Sequence, residues 1–482
     1  MSTTKVLFGP AITTSEPVLV ELRTPVSPKQ VSATTSPVAR GLSLRANFVW
    51  VLSGNVVYAA CQLGMIVALA KLGNSIMVGQ FSLGLAVATP VIMFTNLHLR
   101  AVQATDARRS HSFHEYIQLR IIMTVIALAI ISGIACFGNY GRKTTMIVLA
   151  VALAKGIESL SDIYYGLFQL NDRLDQTGTS MMLRGTFSML ALIAGLYFTG
   201  DVFWGCVGLA LTWLAALLLF DLRQGRRFLR SDENLGRLPI WISWRKPGHR
   251  AQGFRRQMAL LQLALPLGVV TTLASVNLNV PRYFIEARMG EHQLGIFSAL
   301  AYGTVAITVV GDALGHCAIP RLSRLYAAGQ LAEFRAALLR LSTVGGLLGL
   351  TGVAVARVMG AQFLRIFYSP EYAASSRVFM VLMLATAIHC VAGMLTSGIL
   401  SARRFRIQVP IVALTAASTA FACSVWVPTL GLIGGAFAMI AGAVVRLILS
   451  IAIAGYLFFL QSHPSVEHPA LHTRVADWNP GI

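Results

Sequence analysis

Three ionisable residues stand close together in the apolar segment 146–170: Lys155, Glu158 and Asp162. Offsets of three and seven positions place them on one face of a helix. Charged groups are rare inside apolar segments, where they mark functional sites. Two interpretations stay open, a Lys155–Glu158 salt bridge that lets the helix insert, and a functional role. Glu158 and Asp162, for which the helix offers one lysine, are candidates for carrying a proton or another ion.

A second group of polar residues closes the apolar segment 259–281. It contains Asn277, Asn279 and Pro281, and Arg282 follows directly. The proline and the two asparagines indicate irregular backbone that lines a cavity rather than lipid. A guanidinium there would suit a phosphate, because its planar fork can bind two oxygens. The alternative is an arginine that anchors the chain at the membrane interface.

The other candidates are scattered. Asp312 and His316 lie one helical turn apart, and Arg446 could pair with Asp312 across helices. Arg184, near the start of an apolar segment, could reach a cavity from the cytoplasmic side. His389 stands alone among apolar residues and is interpreted as a buried histidine with its hydrogen bonds satisfied.

Signatures of enzymes are missing from the sequence. It has no G-x-x-x-x-G-K-[ST] phosphate loop, no G-x-S-x-G and no H-E-x-x-H. The six cysteines form no C-x-x-C pair, so neither a disulfide framework nor a zinc site is indicated. We expect no metal, no cofactor and no catalytic residue.

Long apolar segments must position these residues. The chain has 482 residues, of which 55% are hydrophobic and 12% are charged, whereas soluble domains carry about 25% charged residues. Segments of ~18 or more apolar residues indicate membrane spans. We predict an all-α polytopic membrane protein with about 12 transmembrane helices. The predicted spans are 46–70, 76–99, 117–137, 146–170, 181–199, 202–222, 259–281, 294–318, 336–356, 376–401, 407–427 and 431–460.

The longest internal loop divides these spans into two groups of six. We predict a lobe at 46–222, a basic cytoplasmic linker at 223–258 and a second lobe at 259–460. Residues 1–45 are rich in Ser, Thr and Pro and lack a signal peptide, which predicts a disordered cytoplasmic tail. Residues 461–482 are predicted to form a second cytoplasmic tail.

The net charge of +20 comes from 39 lysines and arginines against 19 acidic residues. Most of these basic residues fall in loops on one side of the predicted membrane, which is typical of the cytoplasmic side. The pattern predicts that both termini are cytoplasmic. It also predicts that the partner of the basic loops is the lipid bilayer. We expect no nucleic-acid partner.

A short sequence pattern occurs twice, about half a chain apart. Lys71-Leu72-Gly73 precedes Gly79-Gln80-Phe81-Ser82, and Arg288-Met289-Gly290 precedes Gly295-Ile296-Phe297-Ser298. Each copy ends one apolar segment and begins the next. The repeat indicates two pseudo-symmetric six-helix lobes, as in many transporters.

Across residues 46–460 the chain resembles bacterial oligosaccharide-lipid flippases of the Wzx type. That resemblance implies the fold of the multidrug/oligosaccharidyl-lipid/polysaccharide (MOP) exporters, which the MATE transporters share. Two six-helix lobes then surround a central cavity that opens to each side in turn. The motifs that carry the resemblance are 79–86, 96–106, Leu265-Pro266-Leu267-Gly268, Val280-Pro281-Arg282-Tyr283-Phe284, 295–299 and Tyr368-Ser369-Pro370-Glu371-Tyr372.

The resemblance also implies a substrate and a mechanism. The substrate would be a polyprenyl-pyrophosphate-linked oligosaccharide, moved across the bacterial inner membrane for exopolysaccharide or O-antigen synthesis by ion-coupled alternating access. A polysaccharide polymerase and other biosynthesis proteins would be partners. The residues expected to bind substrate are Arg282, Arg446, Lys155, Arg184, Asn277 and Asn279, and those expected to couple ions are Asp162, Asp312 and Glu158.

Three other functions stay open on the sequence. A multidrug or cation antiporter of the same fold would favour an acidic, aromatic cavity. A membrane polymerase or acyltransferase would need a large outward loop or a catalytic His/Asp group, and the sequence shows neither. A scaffold subunit of a biosynthetic complex is the third.

Overall fold

The chain forms a bundle of long helices. A computed structural model describes residues 42–106, 110–231, 249–402 and 407–462, and contains no strand within those ranges. The helices are α1 Leu44–Leu72, α2 Ser75–Asn96, α3 Leu99–Thr105, α4 Phe113–Phe137, α5 Arg142–Leu170, α6 Leu174–Thr199, α7 Val202–Ala216, α8 Leu222–Ser231, α9 His249–Tyr302, α10 Val305–Ala327, α11 Leu331–Phe367, α12 Pro370–Ala373, α13 Ser376–Ser401, α14 Gln408–Leu430 and α15 Leu432–Ser462.

The predicted all-α polytopic membrane fold is confirmed. In the described part of the chain, 11 helices are long and apolar enough to cross a membrane. Helix α5, which has 29 residues and carries Lys155, Glu158 and Asp162, is not one of these eleven. The predicted tails 1–45 and 461–482 lie almost entirely outside the described residues.

The predicted loop between the two groups of six spans is partly helical. α8 continues from α7 to Ser231 through a π-helical turn at Leu217–Asp221, and α9 begins at His249. Only the middle of the predicted linker 223–258 therefore falls outside the described residues. The division into two lobes and a linker, with the bounds given above, remains a prediction.

The predicted irregular backbone at Pro281 is wrong. Helix α9 passes through Pro266 and Pro281, and its backbone leaves the helical region only at Gly290, with φ 80° and ψ 179°. Glycine accepts this positive φ because it has no Cβ. Membrane helices tolerate proline when neighbouring groups satisfy the freed carbonyl. Arg282 therefore lies on continuous helix and not on irregular backbone.

A helix break occurs at the end of the second predicted span in the first half, and within the second predicted span in the second half. Helix α2 ends at Asn96, and Leu97 and His98 take positive φ values of 50° and 53° before α3 resumes. In the second half, α9 ends at Tyr302 and α10 resumes at Val305. The break after α2 turns α3 towards α5, against which it packs.

The two copies of the repeated motif meet where α2 crosses the last part of α9. A Cβ atom on Gly79 would lie 1.9 Å from the carbonyl oxygen of Glu291, and one on Gly295 would lie 1.8 Å from that of Ser75. No side chain larger than hydrogen fits such distances. The glycines of the motif are therefore required by close helix packing.

Hydrogen bonds between the two halves surround this crossing. Gln80 Nε2 donates to Glu291 at 2.9 Å, and the Thr144 hydroxyl donates to the same carboxylate. The Ser75 hydroxyl donates to Glu371 at 3.0 Å. We call the crossing of Gly79 and Gly295, with the bonds to Glu291 and Glu371, the outer seam. It closes the end of the bundle that is predicted to face outwards.

The outer seam generates a test. Gly79→Ala places a methyl group where α2 contacts the backbone of Glu291, so α2 and α9 must move apart. We expect spin labels at Asn74 and Arg288 to report a longer distance by pulsed electron resonance. Gly133→Ala is the matched control, because a Cβ at Gly133 meets no atom within 4 Å. Identical distance distributions in both variants would show that the crossing does not hold the seam.

Candidate anion-binding cavity

A cavity of about 530 Å³ lies between the first-half helices and α9. It extends from Lys155, near the middle of α5, towards Gln169 at the end of that helix, away from the outer seam. Its lining contains both acidic and basic side chains, so the cavity can hold water and a charged group. The lining residues are Tyr58, Thr89, Ile92, Met93, Asn96, His98, Arg100, Ala101, Lys155, Glu158, Ser159, Asp162, Tyr165, Gln169, Met181, Arg184 and Thr271.

Glu158 is the centre of one set of charges. Lys155 Nζ lies 2.7 Å from its carboxylate, which confirms the predicted salt bridge within α5. The Tyr58 hydroxyl donates to Glu158 at 2.7 Å, and an Arg184 nitrogen lies 3.9 Å away. Arg184 also lies 3.4 Å from the fully buried Asp221. These pairs compensate charges that would be costly in a membrane interior if isolated.

The π-helical turn explains how Asp221 reaches this set. The extra residue in such a turn rotates the side chains that follow it. Asp221 is the last residue of the turn, and the Ser180 hydroxyl donates to its carboxylate at 2.7 Å. Ser180 and Arg184 lie one turn apart on α6, so both reach the same carboxylate.

Asp162 is the centre of a second set. Arg120 lies 3.1 Å and Arg100 3.6 Å from its carboxylate oxygens. Arg120 also donates to Asn96 Oδ1, which accepts from the Ser159 hydroxyl as well. Asp162 therefore takes its partners from α3 and α4 rather than from its own helix.

Arg100 and Arg120 were missed by sequence reasoning. Both lie at the edges of predicted spans, where an arginine is ordinarily a loop residue at the membrane surface. The available signal was the position of Arg120 inside the apolar segment 117–137. Helix α4 begins earlier, at a capping box in which Ser112 and Glu115 bond each other's backbone N–H groups, and this places Arg120 in the buried part of the helix.

The two arginines differ in what they can do. The Arg120 side chain is 0% exposed, whereas the Arg100 side chain is 32% exposed and makes the longer contact with Asp162. Arg100 can turn towards a bound anion while Asp162 keeps Arg120. The centre of the Tyr165 ring lies 5.4 Å from the guanidinium carbon of Arg100 and 5.5 Å from that of Arg184. Such stacking orients both cations without using their N–H donors.

Several predicted residues lie away from this cavity. Arg282 donates to Asn279 Oδ1 at 2.6 Å, and its guanidinium carbon lies 5.9 Å from the centre of the Tyr302 ring. Asn277 accepts from the Thr419 hydroxyl at 3.0 Å. The two asparagines therefore make contacts within α9 and with α14, and neither of them nor Arg282 lines the cavity.

The charges of Asp312 and Arg446 interact, as predicted, but no salt bridge within 4 Å joins the two side chains. Arg446 lies 3.2 Å from a ring nitrogen of His389, so the histidine does have a polar partner. Among the described residues Asp312 forms no salt bridge, and its side chain is exposed on α10. The structure thus gathers Lys155, Glu158, Asp162 and Arg184 in one place but not the candidates of the second half.

Comparison with solved structures identifies the class of fold. The chain is similar to the structure titled "Lipid II flippase MurJ, inward closed conformation", with a TM-score of 0.68 and 10% identity, over 90% of this chain and 94% of that one. It is also similar to a MATE structure in the bent conformation, with a TM-score of 0.57 and 15% identity, over 87% and 95%. The bundle therefore has the MOP transporter fold.

Sequence comparison identifies the family. The family model described as "Polysaccharide biosynthesis protein" matches residues 44–326, which is more than half of the chain. The chain belongs to this family. A curated relative, capsular polysaccharide biosynthesis protein CapF of Staphylococcus aureus, is 25% identical over 336 residues, or 70% of this chain and 80% of CapF.

The fully buried Arg120 generates a stability prediction. Arg120→Ala leaves a cavity and removes one partner of Asn96 and one partner of Asp162. Breaking a buried charge pair in this way costs about 3 kcal/mol. We expect a clearly lower thermal unfolding midpoint for the purified protein, and Arg223→Ala, at an exposed position of α8, is the control. Equal midpoints for the two variants would contradict the structural role of Arg120.

Proposed function

We propose that this protein moves a lipid-linked oligosaccharide with a diphosphate headgroup across the bacterial inner membrane during polysaccharide synthesis. The observation that supports this best is a polar cavity of about 530 Å³ among membrane-spanning helices, lined by Arg100, Lys155 and Arg184. The names of the relatives point the same way, since CapF is a capsular polysaccharide biosynthesis protein and MurJ a lipid II flippase.

The physical problem of such a substrate is its headgroup. Moving an ion from water into a low-dielectric interior costs several kcal/mol even after relaxation. Arg100 and Lys155, which are both partly exposed, would replace the lost hydration with charge-assisted hydrogen bonds. Arg184 is almost fully buried, and we assign it to holding Glu158 in place behind the phosphates.

We propose alternating access as the means of transport. In the described state the outer seam joins the two halves at one end, and the cavity extends towards the other. Rocking of one half against the other would break the seam and open the opposite side. Arg282 and Arg446, which form no salt bridge with a described residue, are the proposed phosphate contacts in that second state, with Asn277 and Asn279 beside Arg282.

Ion coupling follows from the same charges. A phosphate that binds Lys155 draws it away from Glu158, and one that binds Arg100 draws it away from Asp162. The negative charge of that carboxylate is then less well compensated. The carboxylate would then bind a proton or a metal cation in place of its partner. Glu158 and Asp162 are our proposed coupling acids in the cavity, and Asp312 is the proposed coupling acid of the second half.

The antiporter alternative fits the cavity less well. A carrier of cationic drugs needs a carboxylate that is available to the drug. Glu158 and Asp162 each have two basic side chains within 4 Å. A bound cation would have to displace them, whereas a bound anion adds to them.

We also propose that both termini are cytoplasmic, as the distribution of basic residues indicates, and that a polysaccharide polymerase acts downstream.

The proposal is tested by transport in vesicles. Arg100→Gln replaces the most exposed guanidinium of the cavity with a neutral, shorter side chain that can still form hydrogen bonds. Loss of a hydrogen bond to a charged group, at roughly 2 kcal/mol, should slow flipping of a short-chain polyprenyl-diphosphate sugar at least tenfold. The measurement is the fraction of fluorescent lipid that an impermeant quencher reaches with time.

The control is Arg223→Gln, which should flip the lipid at the native rate. Flipping by Arg100→Gln at the native rate, in protein with a native unfolding midpoint, would contradict the proposal. Equal flipping of a lipid with an uncharged sugar headgroup would show that the cavity does not select phosphate.

A further inference from the structure

A second cavity, of about 510 Å³, lies between α10 and α11, apart from the α5 charges. Its volume falls in the range of ligand-binding pockets, ~300–1,000 Å³. One face of α10 contributes Leu322 and Leu325, and the facing side of α11 contributes Leu341 and Val344. The walls are thus largely apolar.

Two arginines lie in this cavity, one from each helix. They are Arg321 on α10 and Arg340 on α11. Neither forms a salt bridge or hydrogen bond with another described residue, and both side chains are exposed. Glu333 is the one acidic residue of the lining, so the cavity carries a net charge of one positive unit if all three groups are ionised.

The sequence of α11 places this cavity at the membrane surface. No charged residue occurs from Leu341 to Ala356, between Arg340 and Arg357. That stretch is about 25 Å long at 1.5 Å per residue, close to the ~30 Å thickness of the hydrocarbon layer. Arg340 therefore lies where hydrocarbon gives way to headgroups. The hairpin Ala328–Gln330 between α10 and α11 lies beyond it, on the predicted cytoplasmic side.

We propose that this cavity binds an anionic phospholipid of the inner leaflet. The phosphate would lie between Arg321 and Arg340, and an acyl chain would follow Leu341 and Val344 into the bilayer. Basic pockets between transmembrane helices on the cytoplasmic side are typical sites for anionic headgroups. A headgroup with one negative charge and free hydroxyls matches the net charge best, because Glu333 can accept a hydrogen bond from a hydroxyl. Phosphatidylglycerol has this chemistry.

The test measures phosphatidylglycerol binding to the full-length protein in mixed micelles by native mass spectrometry. Each arginine near an anionic lipid surface contributes about a fivefold gain in affinity. We expect Arg321→Gln and Arg340→Gln each to weaken binding about fivefold, and the double variant about 25-fold if the effects add. Arg335→Gln is the matched control, because Arg335 is exposed on α11 but does not line the cavity.

Two further ligands separate the alternatives. Phosphatidylcholine, which carries no net charge, should bind at least fivefold more weakly than phosphatidylglycerol. Soluble glycerol phosphate should not compete, because it lacks the acyl chain. Equal phosphatidylglycerol binding by the double variant and by Arg335→Gln would overturn the proposal. Competition by glycerol phosphate at a concentration comparable to that of phosphatidylglycerol would contradict the proposal that the apolar walls bind an acyl chain.

Discussion

The structure depends on one constraint, which is that the charges of Lys155, Glu158 and Asp162 on α5 must be compensated within the membrane. Lys155 and Glu158 do this in part for each other, but Asp162 needs basic groups from other helices. Arg120 from α4 and Arg100 from α3 supply them. The break after α2, the early start of α4 and the packing of α5 against α2, α3, α4 and α7 all serve this arrangement. The cavity exists because these polar groups cannot face lipid.

A second requirement acts at the opposite end of the bundle. Gly79 and Gly295 allow α2 and α9 to touch at their backbones, and the carboxylate of Glu291 accepts hydrogen bonds across the contact. Polar bonds of this kind can be exchanged for water when the helices separate, so closure here need not be permanent. A close, hydrogen-bonded seam at one end and a charged cavity towards the other are what alternating access requires.

Composition and periodicity were enough to predict the helices, because a membrane leaves few other choices for an apolar chain. The Lys155–Glu158 pair was also predictable, since both partners lie on one helix. Arg100 and Arg120 were not, because their roles depend on how separate helices pack. Pro281 was misleading for a related reason. A proline that would end a helix in water is tolerated where neighbouring helices satisfy the backbone.

The central claim is that the cavity beside α5 binds the diphosphate of a lipid-linked sugar. Its most direct test is an experimental structure of the protein with a polyprenyl-diphosphate sugar bound. The account predicts phosphate density in the cavity, within hydrogen-bonding distance of Arg100 and Lys155, ~2.7–3.2 Å from their nitrogens. Phosphate density elsewhere, with Arg100 still turned towards Asp162 and the cavity filled only by water, would contradict it.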